Sequence, residues 1–425
     1  MENESSNQIE PGIQESQSLI NPTLNIGVNS QMSKPQDRIK VLSAGIFSLI
    51  LALGVARFAY TPLLPIMQHQ AGLGVAAAGW LAAINYAGYL GGALIASLIS
   101  DMVLKDRLYR IGMILAILST AMMGLTTDFT VWALSRFVAG FSSAAGLLLG
   151  SGLILNWLIR HDHRSELGIH FSGIGLGIAC AAAAVWLMNH WLNWSQQWFA
   201  LTALGCLLVV PALAWLPAPD RSMVTRTGQQ MHDAPPSPLF LRIFTFAYFC
   251  AGIGYVVSAT FIVAIIDHIP GLAGKGGLVF LVIGLAAAPS CIAWDFIARR
   301  TGKLNALIAA SVLQIIGILL PIWTHGSAGA FIGALLFGGT VMGIVSLVLT
   351  MAGQYYPTRP AKMMGQMTLS YGTAQIIAPA ITGSLASHFG GYSAGLYLAG
   401  VAMIACTLLL MMLKAVEKRE RLEAV

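Results

Sequence analysis

Charge is what this chain has least of: only 9% of its 425 residues are Asp, Glu, Lys or Arg, while 56% are hydrophobic. Ordinary soluble domains carry about 25% charged residues, so a soluble globule is excluded. Acid is missing from the middle of every long apolar run: Asp101, Asp162, Glu166, Asp267 and Asp295 all stand near run ends. Cys180, Cys206, Cys250, Cys291 and Cys406 each fall inside an apolar run without C-x-x-C spacing. That argues against a disulfide framework and a zinc site and predicts buried, inert thiols. No glycine-rich phosphate loop is present, so ATP drive is not indicated. Residues 1–37 lack the basic-then-apolar layout of a signal peptide. Rich in Ser, Asn, Gln, Glu and Pro, they read as a disordered cytoplasmic tail. The formal charge of +6 is scattered over short connectors, which offers no patch for nucleic acid.

What the chain does have is apolar runs of about 20 residues, the length a helix needs to cross a hydrocarbon core. Six are expected near Ile39 to Met67, Val75 to Ile99, Leu108 to Thr126, Phe129 to Leu153, Leu167 to Met188 and Trp198 to Leu216. Six more follow near Phe240 to Ile266, Leu278 to Ile297, Leu304 to Trp323, Ala328 to Ala352, Met363 to Ser387 and Ser393 to Leu413. The fold expected is an all-α membrane protein of twelve transmembrane helices in two pseudo-symmetric six-helix bundles. Its halves are residues 38–216 and 239–414, joined by a cytoplasmic linker at 217–238 with Asp220, Arg221, Arg226, Asp233 and three prolines, and closed by a tail at 415–425. With the N-terminus inside, twenty of the 23 Lys and Arg fall on the cytoplasmic side and only Lys275 on the other. Both termini are therefore expected inside, in the inner membrane of a monomer surrounded by lipid.

The halves echo each other. Gly54 to Phe58 in the first run matches Gly252 to Val256 in the seventh, and the loop Asp106 to Arg110 matches Arg299 to Lys303. A parallel repeat of this kind puts a ligand site at the interface of the halves, near the midplane.

From Arg38 to Lys414 the chain resembles the major facilitator superfamily, and within it the YbfB/YjiJ-type subfamily. Asp106, Arg107 and Arg110 resemble the superfamily's D-R-x-G-R loop, with Tyr109 in place of the glycine and Met102 in place of the leading glycine. Arg136 and Gly140 resemble the fourth-helix R-x-x-x-G motif. The subfamily likeness lies in Arg57 to Pro65, Asn85 to Tyr89 and Tyr371 to Pro379, where alanines precede Gln375 and Pro379. The resemblance implies two rocking halves with alternating access, proton coupling, and gating at Asp106, Arg107 and Arg110.

Two basic residues, Arg57 and Arg136, lie within runs, at similar depths of roughly 10 to 14 Å below the outer surface. An arginine at bilayer depth costs roughly 2.5 to 3.5 kcal/mol on insertion scales, so each must meet water, protein or ligand. By helical spacing Gly54, Arg57 and Thr61 share one face, and Arg136, Gly140, Ser143, Leu147 and Ser151 another; both suit a cavity. With no carboxylate at that depth, a substrate carboxylate, phosphate or sulfonate fits the guanidinium forks. The alternative is structural arginines capping helix carbonyls or asparagines, for example Arg136 with Asn85. Tyr248, Gly252 and Tyr255 on the seventh run, with Thr368, Tyr371, Gln375 and Pro379 on the eleventh, form a neutral hydrogen-bonding wall. There Tyr255, Tyr371 and Gln375 are the candidate substrate contacts, set against aromatic packing and a proline kink. His170, ahead of Gly173, Gly175 and Gly177, is either a carrier of a coupling proton or a structural histidine near the surface. Those glycines permit close helix approach. His161, Asp162 and His163, flanked by Arg160 and Arg164, read as a solvated loop rather than a metal site.

The function expected is secondary transport of a small organic solute, anionic or amphiphilic, without cofactor or metal. Efflux of hydrophobic compounds is the alternative within transport. A membrane-embedded transferase and a transport-inactive receptor are the alternatives outside it; the first needs clustered acids or histidines, and here they are scattered singly.

Overall fold

The computed structural model describes residues 35–165, 167–219, 225, 227–267, 276–324, 326–389 and 393–423. The expected tail over residues 1–34, and Glu166, Asp220, Arg221, Arg226 and Lys275, lie outside the described residues. Every expected span is a helix. The first, α1, is built from Pro35–Leu49, a π-helical Ile50–Phe58 and Tyr60–Ala71. Next come α2 (Val75–Leu98), α3 (Met102–Leu125) and α4, which joins Phe129–Ala144, a π-helical Ala145–Gly150 and Ser151–Arg160. Then follow α5 (Gly168–Met188), α6 (Trp194–Ala214), α7 (Pro238–Asp267), α8 (Gly276–Thr301) and α9 (Lys303–Thr324). Last are α10 (Ser327–Tyr355), α11 (Pro360–Phe389) and α12 (Ser393–Glu423). Eleven are long and apolar enough to cross a membrane among the described residues. The other, α11, has 30 residues and carries Gln366, Thr368, Ser370, Thr373 and Gln375.

Asp101 and Asp128 stand where helix starts need an acceptor. The first turn of a helix has N–H groups without partners, and a short acidic side chain can accept from them. Asp101 Oδ1 accepts from Val103 N at 2.8 Å to open α3, and Asp128 Oδ1 accepts from Val131 N at 3.0 Å to open α4. Asn193 and Gln196 form a reciprocal cap on α6. Some ends differ from expectation. Because Asp101 caps it, α3 starts at Met102, so Asp106, Arg107 and Arg110 belong to a helix rather than a connector. Likewise α4 reaches Arg160, and α12 runs through the expected tail to Glu423.

Within the first bundle α2 packs on α4, α4 on α3, α3 on α6, α6 on α1 and α1 on α5. Adding six to every number gives the second bundle: α8 on α10, α10 on α9, α9 on α12, α12 on α7 and α7 on α11. The bundles meet along α5 with α8 and along α2 with α11. Close approach there needs glycine: a Cβ on Gly175 would sit 2.2 Å from Ala288 N of α8. Two residues on, within the first bundle, a Cβ on Gly177 would sit 2.9 Å from Gly54 Cα of α1.

At the end of the molecule that carries the basic connectors, hydrogen bonds join the bundles. Gly168 N donates to Asp295 Oδ2 at 2.5 Å, Gln354 Nε2 to Ser165 Oγ at 2.8 Å, and Asn156 Nδ2 to Pro357 O at 3.0 Å.

Candidate functional site

The site starts from a proline. Pro62 has no N–H, and its ring crowds the carbonyl of Phe58 one turn earlier. Just before it the helix is wound wide, and Ala59 N reaches back five residues to Gly54 O at 2.9 Å. Such π-helical turns are frequent at functional sites. The loosened carbonyls find partners on α4. Arg136 Nη1 donates to Ala56 O at 2.8 Å, its Nη2 to Arg57 O at 3.0 Å, and Ser143 Oγ to Ala52 O at 2.8 Å.

Arg136 is therefore a carbonyl clamp, 2% exposed, with the Tyr60 ring 4.8 Å from its Cζ. This corrects the expectation that both arginines face one opening. The backbone oxygens of Ala56 and Arg57 engage both terminal nitrogens of the guanidinium. The suggested pairing with Asn85 is reversed as well: Asn85 Nδ2 donates to the backbone oxygen of Arg136 at 2.8 Å. The α4 face running from Arg136 to Ser151 is buried throughout, with Gly140 against Asn85 of α2, Ser143 on Ala52 of α1 and Ser151 beside His170 of α5.

Arg57 points elsewhere. Its Cζ lies 4.4 Å from the Tyr89 ring centroid, 4.9 Å from Tyr86 and 5.5 Å from Phe58. Its guanidinium makes neither a hydrogen bond nor an ion pair among the described residues, and the residue is 7% exposed. Ring faces offset part of the cost of the buried charge but take no N–H. Across the seam Tyr248 stacks on Tyr371 at 4.5 Å, Tyr371 on Tyr255 at 5.8 Å, and Tyr255 on Phe337 at 6.5 Å. Tyr255 has Tyr86, Arg57 and Tyr89 as electrostatic neighbours, and Tyr371 has Tyr248, Tyr255, Tyr89 and Tyr86. A single cluster thus joins α1 and α2 of one bundle to α7 and α11 of the other. The hydroxyls of Tyr86, Tyr248, Tyr255 and Tyr371 find no hydrogen-bond partner among the described residues. Nor do two buried oxygens on α11, Gln375 Oε1 and Thr368 Oγ1.

Tyr86, Tyr89 and Phe58 were quoted above only as signs of resemblance. The signal that could have found them is the i, i+3 spacing of Tyr86 and Tyr89 on a helix facing the other half. A groove of about 450 Å³ on α7 and α11, lined by Leu241, Arg242, Thr245, Phe246, Phe249 and Ser370, does not include Arg57.

Other expected residues are placed apart from the cluster. His170 is not near the surface but fully buried, its Nε2 2.7 Å from Ser151 Oγ and its Nδ1 against the backbone of Gly45. Arg110 Nε pairs with Asp106 Oδ2 at 2.9 Å, while its Nη1 and Nη2 donate to Leu213 O and Leu216 O at the end of α6. Arg107 is exposed. His161 and His163 stack on Trp157 at 4.2 and 5.6 Å, and no metal-holding group of three occurs among the described residues. Cys206 is exposed and Cys180 partly so, unlike the three buried thiols, because they lie on outward helix faces.

Twelve helices in two repeated bundles, eleven of them long and apolar enough to cross a membrane among the described residues, are the architecture of a membrane transporter of the major facilitator fold. The chain belongs to the family described as "Uncharacterised MFS-type transporter YbfB", whose model matches residues 49–411. It is 25% identical to the uncharacterized MFS-type transporter YceJ of Bacillus subtilis (strain 168) over 83% of this chain and 87% of the relative. YtbD of the same organism is 21% identical over 88% and 95%. Among solved structures, the human organic anion transporter MFSD10 (TETRAN) aligns with a TM-score of 0.66 at 16% identity, over 88% of this chain and 99% of that one. A bacterial homologue of the iron transporter ferroportin, in an outward-facing state, aligns with a TM-score of 0.65 at 13% identity, over 89% and 99%. At these identities the solved structures share the fold alone.

Proposed function

We propose that the protein is a secondary carrier of a small organic anion, working by alternating access, with Arg57 as the anion-binding group. One observation carries this reading: a guanidinium in the seam between the bundles has aromatic neighbours but, among the described residues, no acid partner and no hydrogen bond. Leaving a buried charge without a counter-charge is costly, and an incoming carboxylate relieves that cost while filling the guanidinium fork. Tyr255, Tyr371 and Gln375 supply the opposite wall. MFSD10, described as an organic anion transporter, shares the fold.

The drive in this proposal is the proton gradient, with His170 as the group that carries the coupling proton, since the acids stand at helix ends. The basic end faces the cytoplasm in this reading, in an inner membrane, with the carrier acting as a monomer and residues Asp106, Arg107 and Arg110 at its gate. Efflux of hydrophobic compounds remains the second reading, favoured by the rings around Arg57.

The test is uptake into proteoliposomes and binding to purified protein, each with a panel of carboxylates. Arg57→Gln is expected to abolish saturable uptake of the bound carboxylate, and Arg57→Lys to weaken it at least tenfold. Unchanged uptake in Arg57→Gln would falsify the anion site. Binding of uncharged hydrophobic compounds that is indifferent to Arg57 favours the efflux reading instead. An imposed pH gradient is expected to accelerate uptake in wild type and not in His170→Gln.

A further inference from the structure

We infer that the anion held at Arg57 is a planar aromatic acid, an arene carboxylate or sulfonate whose ring enters the tyrosine cluster while its acid meets the guanidinium. The inference rests on the anion reading above and narrows it. Five of the chain's eleven tyrosines, Tyr86, Tyr89, Tyr248, Tyr255 and Tyr371, gather at this one seam. They come from α2, α7 and α11, so both bundles contribute. Rings of this kind pack best in offset or edge contacts with centroids roughly 4.5 to 7 Å apart. The column on the second bundle already has that geometry, with rings inclined by 25°, 24° and 4° in turn. A flat ligand can extend such a column through its π face; a saturated ring, thicker and without one, cannot.

The chemistry around Arg57 points the same way. Cation–π contacts leave the N–H groups of the guanidinium unused, so an acid can be held in the fork while Tyr86 and Tyr89 stay in place. A polyhydroxylated acid would need many paired acceptors and donors, whereas the cluster presents mainly ring carbon. A long-chain acid would need an aliphatic sleeve, and the residues around Arg57 are aromatic instead. The four tyrosine hydroxyls without partners suit a ring bearing polar substituents.

The experiment is calorimetric titration of the purified full-length protein with three probes: 2-naphthoate, its fully saturated decahydro counterpart, and methyl 2-naphthoate. The variants are Arg57→Gln, Tyr255→Leu and Tyr255→Phe. Naphthoate is expected to bind about tenfold or more tighter than the saturated acid, and much tighter than the ester. Tyr255→Leu is expected to lower naphthoate affinity more than that of the saturated acid, and Tyr255→Phe to keep the preference. Equal affinity for the two acids, both lost in Arg57→Gln, overturns the aromatic inference and leaves the anion reading standing. Binding of the ester as tightly as of the acid, unchanged in Arg57→Gln, overturns both.

Discussion

Two arginines that look alike in sequence have opposite jobs, and the difference lies in backbone rather than side-chain chemistry. Arg136 holds two carbonyls of α1 with its terminal nitrogens, while the Arg57 guanidinium holds no acceptor among the described residues. Removing the first leaves buried acceptors unpaired, at roughly 1 to 3 kcal/mol each. Arg136→Gln is therefore expected to lower the melting temperature of detergent-purified protein by several degrees. Arg57→Gln, which removes an uncompensated charge, is expected to leave melting unchanged or raise it. An Arg136→Gln protein as stable as wild type counts against the clamp. Both arginines were visible in the sequence as charges at bilayer depth. Which of them was committed to structure was not, because it depends on how far the helix widens before Pro62.

At the scale of the element, the twelve helices were legible because apolar run length and span length are the same quantity. Their ends were not, since Asp101 starts α3 early and draws a charged segment, Lys105 to Arg110, into the helix. The π-helical turns in α1 and α4 were also invisible: apolar spacing at 3.6 residues per turn carries no mark of a local widening. On α4 the face drawn from Arg136 to Ser151 crosses such a turn at Ala145–Gly150. Contact between α1 and α5 depends on Gly54 and Gly177, whose backbones nearly touch. Gly177→Val is expected to prevent recovery of monodisperse protein on size exclusion, because backbone cannot give way as a side-chain tip does. Asp106→Asn is a milder change: Arg110 is partly exposed and keeps its α6 carbonyls, so the loss is expected to be under about 1 kcal/mol, read by thermal melting.

For the whole molecule, the duplicated order of helix contacts is what the short sequence echoes between Gly54 to Phe58 and Gly252 to Val256 indicated. What no local pattern could indicate is the set of bonds across the seam, because their partners are far apart along the chain, as with Gln354 and Ser165. Alternating access requires those bonds at the basic end to break in every cycle. A Ser165→Cys, Gln354→Cys pair, made with the accessible Cys180 and Cys206 replaced by serine, is expected to cross-link under oxidation and halt transport, with activity returning on reduction. Transport that continues in the fully cross-linked protein shows that this end does not open.

The division of labour between the arginines has an evolutionary corollary. Because the helix is held by Arg136 and not by the side chain at 57, position 57 is free to change without refolding α1. Relatives that came to serve different solutes are expected to vary at the position of Arg57 while retaining Arg136. Where Arg136 has been lost, Pro62 is expected to have been lost with it, since an α1 that closes its own carbonyls needs no clamp.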